Sequence, residues 1–433
     1  MDEGSSRRSF DDQVTEAARL IEDADYVHVV SHNDADGIAT ASVLCSCVHR
    51  MGGSYHFRAL DDPNHVTEVE RESADDYDLV VFCDLGAAYT GSFGADTVVV
   101  DHHPTPSSDR DRYDGVLVTP RHLGEEASSS VAAVSVAERL DISDTNVVVN
   151  GLLGAEGDGV MDGQGSDLVD DVVRKSVEEG HVTESQGVRI VGEKPSESLA
   201  YSTHPYTEYT GDIEGARRFV TDLGMEVDDR LGSVGEEELR RFSTAVVLLA
   251  AKNDGSDAEA VERLIGDVYS FDSYPRVPNL HTLSRYVEAC GKTKPGLALS
   301  VCLSPVSTDR YDEVRGIYRR FQSRLIDSVR EAEVSRGTPA VVELADGNNF
   351  DTGSVADVYA DWIVGTPVLV VNNEGESSLR SSEGDGHDAG AVLSDAASRV
   401  GGRGGGHPTR AGATVPVERT REFVESVEGA FDG

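Results

Sequence analysis

Residues 31–37 read Ser-His-Asn-Asp-Ala-Asp-Gly and set His32, Asp34 and Asp36 at alternate positions. Three hard donors packed that closely repel one another, and a divalent cation is what such a set would hold. Three further clusters follow. Asp84 closes the apolar run at 79–83, Asp101, His102 and His103 close a second run at 97–100, and Asp158 stands between Gly157 and Gly159. Carboxylates and imidazoles gathered in this way suit two metal ions bridged by one shared carboxylate, an arrangement that stabilises the attacking and leaving oxygens of a phosphoryl transfer. Each cluster alone has an ordinary reading. With 79 acidic residues an Asp-x-Asp arises by chance, an Asp after a strand caps the next element, and a loop His is usually polar surface. Their recurrence in about 130 residues carries the expectation.

The elements that must present these side chains are strands. A β-branched run at 26–30 precedes the first cluster, and a helical stretch at 38–49 follows it, the first half of a βαβ unit. Loops at the carboxyl ends of such strands line the ligand crevice. The runs at 79–83 and 97–100 read as buried parallel strands, the second stopped by Pro104. A helix over 14–21, a strand over 54–59, an acidic helix-like stretch over 65–76 and a helix over 128–140 complete the expected unit. Residues 147–153 lead into Gly154-Ala155-Glu156-Gly157-Asp158-Gly159, whose glycines permit close backbone approach.

Composition narrows the classes. The 433 residues carry a net charge of −41, with only five lysines, and the remaining 33 basic residues are Arg. With many strand-length apolar runs this reads as a folded protein with an acidic surface adapted to very high salt, not as disorder. It excludes nucleic-acid binding through a broad basic face, which molar salt would weaken in any case. Five cysteines without a CxxC pair exclude a zinc or disulfide framework. The first residues lack a signal-peptide core, and no apolar run reaches eighteen, so a soluble, cytoplasmic protein without a membrane role is expected.

HNDADG, FCDLG, VVVDHH and GAEGDG, in this order over residues 25–160, resemble the four motifs of the DHH phosphoesterases. The resemblance implies a phosphoesterase using two divalent ions, Mn2+ by preference or Mg2+. It implies His32, Asp34 and Asp84 on one ion and Asp36, Asp84, His102 and Asp158 on the other, with Asp84 bridging. His103 would contact the phosphate or donate to the leaving oxygen, and Asp101 would orient an imidazole.

The segment SLAYSTHPYTEYTGD at 198–212 resembles the archaeal RecJ-like nucleases of that family. Tyr206 and Tyr209 there are either locally packed or stacked on bases. Helices over 236–251 and 258–269 and a long helix over 308–335 carrying Arg315, Arg319, Arg320 and Arg324 are expected next. The last hundred residues read as a second α/β unit, with strands at 339–344, 366–371 and 378–382 and a helix at 355–364. The Gly-rich loop at 401–413 makes an anion nest from backbone amides. It resembles the GGGH motif of the DHH-associated carboxy-terminal domain, by which Arg380, Gly404, Gly405, Gly406 and His407 would hold the substrate phosphate.

The expected architecture is therefore α/β: a parallel-sheet DHH domain over 1–195, a mainly helical middle region with a long connecting helix over 196–335, and a smaller substrate-binding domain over 336–433. The expected activity is RecJ-like hydrolysis of single-stranded DNA, or RNA, from an end. An oligoribonucleotide or dinucleotide phosphodiesterase is the enzymatic alternative. A replication-complex scaffold that binds GINS is the non-catalytic one.

Overall fold

The computed structural model describes residues 9–61, 66, 69, 76–87, 96–105, 115–161, 166–253, 255–274, 276–304, 308–382 and 386–431. The chain forms two compact units, Met1–Ser185 with Val268–Tyr318, and Gln186–Asp267 with Arg319–Gly433. The stretch 196–335 is thus divided between them.

The first unit opens with α1 (Phe10–Asp23), capped by the Ser9 side chain and buried along Phe10, Val14, Ala17, Ala18 and Ile21. β1 (Tyr26–His32), α2 (Ala35–Arg50), β2 (Ser54–Leu60), β3 (Leu79–Cys83), β4 (Thr97–Val100) and β5 (Val116–Val118) follow. All five strands are parallel, in the order β2-β1-β3-β4-β5. The chain goes from β1 to β2 on one side and returns to β3 on the other. The order therefore reverses at β1, and the crevice of such a sheet opens at the carboxyl ends of the strands flanking that point. Every residue of β3 and β4 is buried, as continuous apolar runs require when both sheet faces are covered. α3 (Ser129–Arg139) and α4 (Thr145–Asp158) pack on α2, which is buried without a break from Ala35 to Cys45. α5 (Asp167–Glu178) completes this stretch.

β6 (Thr183–Val188) leads into the second unit, where α6 (Pro195–Ala200), α7 (Ile213–Asp222) and α8 (Glu236–Lys252) enclose Leu199, Ala216, Val220, Phe242 and Val246. After α9 (Ala258–Arg263), β7 (Ile265–Ser270) returns the chain to the first unit. That unit also holds α10 (Leu280–Gly291) and α11 (Pro295–Leu303), and α12 (Thr308–Glu331) carries the chain out again. The remainder is β8 (Glu333–Ser335), β9 (Ala340–Glu343), α13 (Thr352–Val358), β10 (Val368–Val371), β11 (Glu376–Arg380), α14 (Ala389–Arg399), β12 (Arg403–Gly406), β13 (Arg410–Thr414) and α15 (Thr420–Phe431). These strands form one sheet, β12-β13-β11-β10-β9-β8, with only the β9–β10 pair parallel. Leu369, Leu379, Leu393, Phe423 and Val427 form its core with α14 and α15.

The α/β class and the parallel amino-terminal sheet are as expected. Four local readings are corrected. The helix expected over 258–269 ends at Arg263, and β-prone Val268 and Tyr269 lie in β7 instead. The long helix stops at Glu331, and residues 333–335 pair as β8. The helix expected over 355–364 begins at Thr352 and passes into a π turn at Tyr359–Ile363. The Gly-rich stretch is an ordered hairpin of β12 and β13. The acidic helix expected over 65–76 lies almost wholly outside the described residues.

Candidate metal centre

The first cluster sits where β1 gives way to α2. Asp34 is the N-cap of α2, and its Oδ1 accepts the Gly37 amide at 2.9 Å. Its Oδ2 lies 2.6 Å from His32 Nδ1. Gly37 is required by crowding, since a Cβ there would fall 2.5 Å from the His32 carbonyl oxygen. Asp36, the second residue of the helix, is fully buried. Its two oxygens accept the backbone amides of Ser129 (2.8 Å) and Ser130 (3.0 Å), the opening residues of α3. A helix amino terminus presents such amides to a carboxylate without an intrahelical partner to compete.

Asp84 follows β3 with φ +58°, a left-handed backbone that a non-glycine residue rarely adopts. Its Oδ1 accepts the Ser129 hydroxyl at 2.9 Å and lies 3.4 Å from His102 Nε2. Its Oδ2 lies 3.6 Å from His32 Nδ1. After β4, buried Asp101 accepts the Ala87 amide at 2.7 Å and both the backbone amide (3.0 Å) and Nδ1 (2.7 Å) of His103. The Arg121 Nε donates to the His102 carbonyl at 2.6 Å and fixes that turn.

Asp158 belongs to the last turn of α4, not to a loop, and Gly159 at φ +72° ends the helix. Asp158 Oδ2 lies 3.4 Å from His102 Nε2. The glycines before it make room. A Cβ at Gly154 would lie 2.2 Å from Asp36 Oδ1, and one at Gly157 would lie 2.7 Å from Ala35 Cβ. Ligand-type atoms of three sets fall within 4.8 Å of one another: His32, Asp34 and Asp84; Asp36, His102 and Asp158; Asp84, Asp101 and His103.

The electrostatics are those of a crowded acidic site. Burial, then Asp34 and Asp36, push the Asp84 carboxyl well above the usual carboxylate range. Burial opposes the charged forms of His32 and His103 too, but Asp34 and Asp84 hold His32 well above the ordinary imidazole value, and Asp101 with Asp84 raises His103 to about 9. Asp34 and Asp101 are lowered despite burial by His32 and His103 respectively. Burial and then the His103 charge lower His102, leaving its imidazole neutral, the form in which it can ligate.

In the second unit, Arg380 ends β11 with its guanidinium mostly buried. Nε donates to Asp357 Oδ1 at 2.6 Å and Nη2 to the Gly353 carbonyl at 3.1 Å. Gly404 and Gly406 are glycines for packing, since a Cβ would meet the Leu393 carbonyl at 2.7 Å and the Arg410 carbonyl at 2.5 Å. Gly405 has nothing within 4 Å of that position. The His407 amide donates to the Arg410 carbonyl at 2.7 Å. That amide is therefore engaged within the hairpin.

Residues 337–433 match the description of the DHHA1 domain. Over its whole length the chain resembles an uncharacterized protein of Methanocaldococcus jannaschii, 21% identical across 96% of each chain. Among solved structures, CDC45 from Entamoeba histolytica superposes with a TM-score of 0.66 and 9% identity over 98% of this chain and 99% of that one. RecJ in complex with Mn2+ from Thermus thermophilus superposes with a TM-score of 0.57 and 17% identity over 97% of this chain and 55% of that one. At such identities these likenesses establish the fold, which is RecJ-like.

The segment that matches the DHHA1 family model thus includes Arg380 and His407, and the first unit carries the remaining candidates. The donor set of that unit fits a divalent ion: carboxylate oxygens and imidazole nitrogens only, with Asp84 crowded by two acids. Ser129, Ser130 and Arg121 escaped sequence reasoning. Ser128-Ser129-Ser130 before an apolar helical run was the available signal, since serines there cap helices. Among the described residues no helix is long and apolar enough to cross a membrane.

Proposed function

We propose that this chain is a divalent-metal-dependent phosphodiesterase, and within that class a RecJ-like exonuclease acting on single-stranded DNA, or RNA, from an end. The observation that carries the reading is the convergence of His32, Asp34, Asp36, Asp84, His102 and Asp158 at the strand ends of a RecJ-like fold. Asp84, with one oxygen toward His32 and the other toward His102, supports its assignment as the shared ligand. Two ions, Mn2+ by preference or Mg2+, bound there would supply the Lewis-acid charge that phosphodiester hydrolysis needs. The chain's own groups do the rest. Ser129 and Ser130 hold Asp36 and Asp84 in place. Asp101 fixes the His103 ring through Nδ1 and keeps it protonated at neutral pH, so that Nε2–H can donate to a phosphate or leaving oxygen. In the DHHA1 domain, His407 and Arg380 would stabilise the phosphate oxygens, and Gly405 leaves backbone open to close approach.

The test is digestion of matched end-labelled DNA and RNA strands with Mn2+ in molar potassium chloride, the salt suiting a surface read as halophilic. Stepwise shortening of long strands is expected. Cleavage confined to dinucleotides would replace the exonuclease reading by the oligonucleotide phosphodiesterase. The likeness to CDC45 favours a second reading, a scaffold in a replication complex that also binds GINS. Strand binding without any Mn2+-dependent hydrolysis would favour it. The filled ligand positions speak for catalysis.

A further inference from the structure

Helix α10 comes from a stretch that lies more than a hundred residues beyond the last candidate ligand, Asp158. One face of it runs along the ligand-bearing backbone. His281 Nδ1 lies 2.6 Å from Glu156 Oε1, two residues before Asp158, in a pair that is almost wholly buried. Ser284 Oγ lies 3.3 Å from where a Cβ of Gly157 would be. Glu288 Oε2 accepts the Ala35 amide at 2.8 Å. Gly291 packs so closely that a Cβ would lie 2.2 Å from the Asn33 carbonyl oxygen. The spacing of 281, 284, 288 and 291 is three, four and three, which is one face of an α-helix. That face therefore meets both ends of the ligand set, the turn holding His32 to Asp36 and the end of α4 holding Asp158.

We infer that Glu288 is a positioning residue for the metal centre, acting through the Ala35 amide. Ala35 is the first residue of α2, flanked by Asp34 and Asp36, and it is buried. An amide in that position has no partner within its own helix, and burial denies it water. Glu288 supplies the acceptor from 253 residues away, and Lys292 holds the other carboxylate oxygen at 3.2 Å. With Ala35 tied to α10 and Gly37 tied to Asp34, the backbone that carries the two aspartates is held by two partly buried hydrogen bonds. A charge-assisted bond to a backbone amide is a strong form of such a tether.

The inference rests on the metal reading, and its test separates the two. Mn2+ binding to the full chain is measured by calorimetry for wild type, Glu288→Gln, Glu288→Met and Asp84→Ala. Gln and Met are both uncharged and close in size to Glu, but only Gln keeps an oxygen for the Ala35 amide. Glu288→Gln is expected to bind Mn2+ within about threefold of wild type, and Glu288→Met about tenfold or more weaker, the usual range for partners that orient ligands. Hydrogen exchange across residues 33–37 should speed up in Glu288→Met and not in Glu288→Gln. Equal Mn2+ affinity in the two variants would overturn the positioning role while leaving the metal centre standing. If wild type bound no Mn2+, or Asp84→Ala bound it as well as wild type, the metal reading itself would fall and take this inference with it. If Glu288→Met does not fold, the exchange comparison is made on Glu288→Ala. Unchanged exchange at 33–37 there refutes the tether.

Discussion

Substituting Gly154 by Ala sets two effects of known sign against each other. In a helix interior Ala is favoured over Gly by about 1 kcal/mol, so propensity alone makes α4 more stable. Space argues the opposite. The new Cβ would stand 2.2 Å from Asp36 Oδ1, 2.2 Å from Ser130 Oγ and 2.7 Å from Ser130 Cβ. All three atoms belong to fully buried residues, so none can swing into solvent. Relieving such overlap costs about 1–3 kcal/mol in a packed interior. It also pries Asp36 from the Ser129 and Ser130 amides, bonds to a carboxylate worth about 1.5–3 kcal/mol each. Even if only one of those bonds is lost, the penalty exceeds the helix gain, and a net loss of about 2–4 kcal/mol is expected. Mn2+ affinity should fall about 10–100-fold, because Asp36 can no longer take its position. Gly429→Ala is the matched control. It lies exposed in α15 with nothing within 4 Å of its missing Cβ, so it should gain about 0.5–1 kcal/mol. Urea unfolding in molar potassium chloride, with Mn2+ titration, reads both quantities. If Gly154→Ala were stabilised like Gly429→Ala and bound Mn2+ as wild type does, the claim that these glycines exist to seat Asp36 would be wrong.

Four further outcomes follow from the structure. Asp84→Ala should abolish Mn2+-dependent hydrolysis without unfolding the protein. Asp84→Asn should make the metal-free protein less sensitive to pH: the raised carboxyl means that wild-type stability declines as pH climbs from about 4 through the elevated folded value, and urea midpoints of the two proteins should diverge in that direction. His103 acts in the same sense, ending at about pH 9. Its folded value of about 9 exceeds the unfolded value of about 6.5, so its pairing with Asp101 stabilises fully below pH 6.5 and is lost as pH rises through 9; Asp101→Asn should flatten that stretch of the stability curve. His407→Ala should raise KM for the strand more than it weakens Mn2+ binding, and equal losses in both would contradict its assignment to the phosphate.

The parallel sheet was legible because β3 and β4 are uninterrupted apolar runs, and each ends in a residue that could only be surface or ligand. The helix at 308–331 was legible because its apolar stripe outweighs Gly316. What the sequence hid had identifiable causes. The run at 265–270 has enough helix-compatible residues to extend α9 on paper, but Gly266 with β-prone Val268 and Tyr269 favours a strand, and β6 supplies the partner. The glycines at 404 and 406 looked like loop punctuation and proved to be close-approach positions in a hairpin. Glu288 carries no signal of its own, and the serine run at 128–130 signals only a helix start. Their roles exist only because helices from distant stretches meet the Ala35 amide and the Asp36 and Asp84 carboxylates, and local pattern contains no trace of that meeting.

The site also accounts for features that a fold selected only for stability would lack. Asp84 holds a left-handed backbone, which costs of order 1 kcal/mol or more for a residue other than glycine, and its carboxyl is buried beside two other acids. Around it, the fold concentrates means of holding acids together: the amino terminus of α3 on Asp36, the Ser129 hydroxyl on Asp84, the cap of α2 on Asp34. None of these donors removes the mutual repulsion of the carboxylates; they only fix where it acts. A bound cation would cancel it, and would turn a crowded acidic point of a chain with net charge −41 into one that an anionic phosphate can approach. On the proposed reading a chain of this charge offers a nucleic acid no broad basic face, and local reversal of charge at the metal centre would be the physical step on which capture of the strand depends.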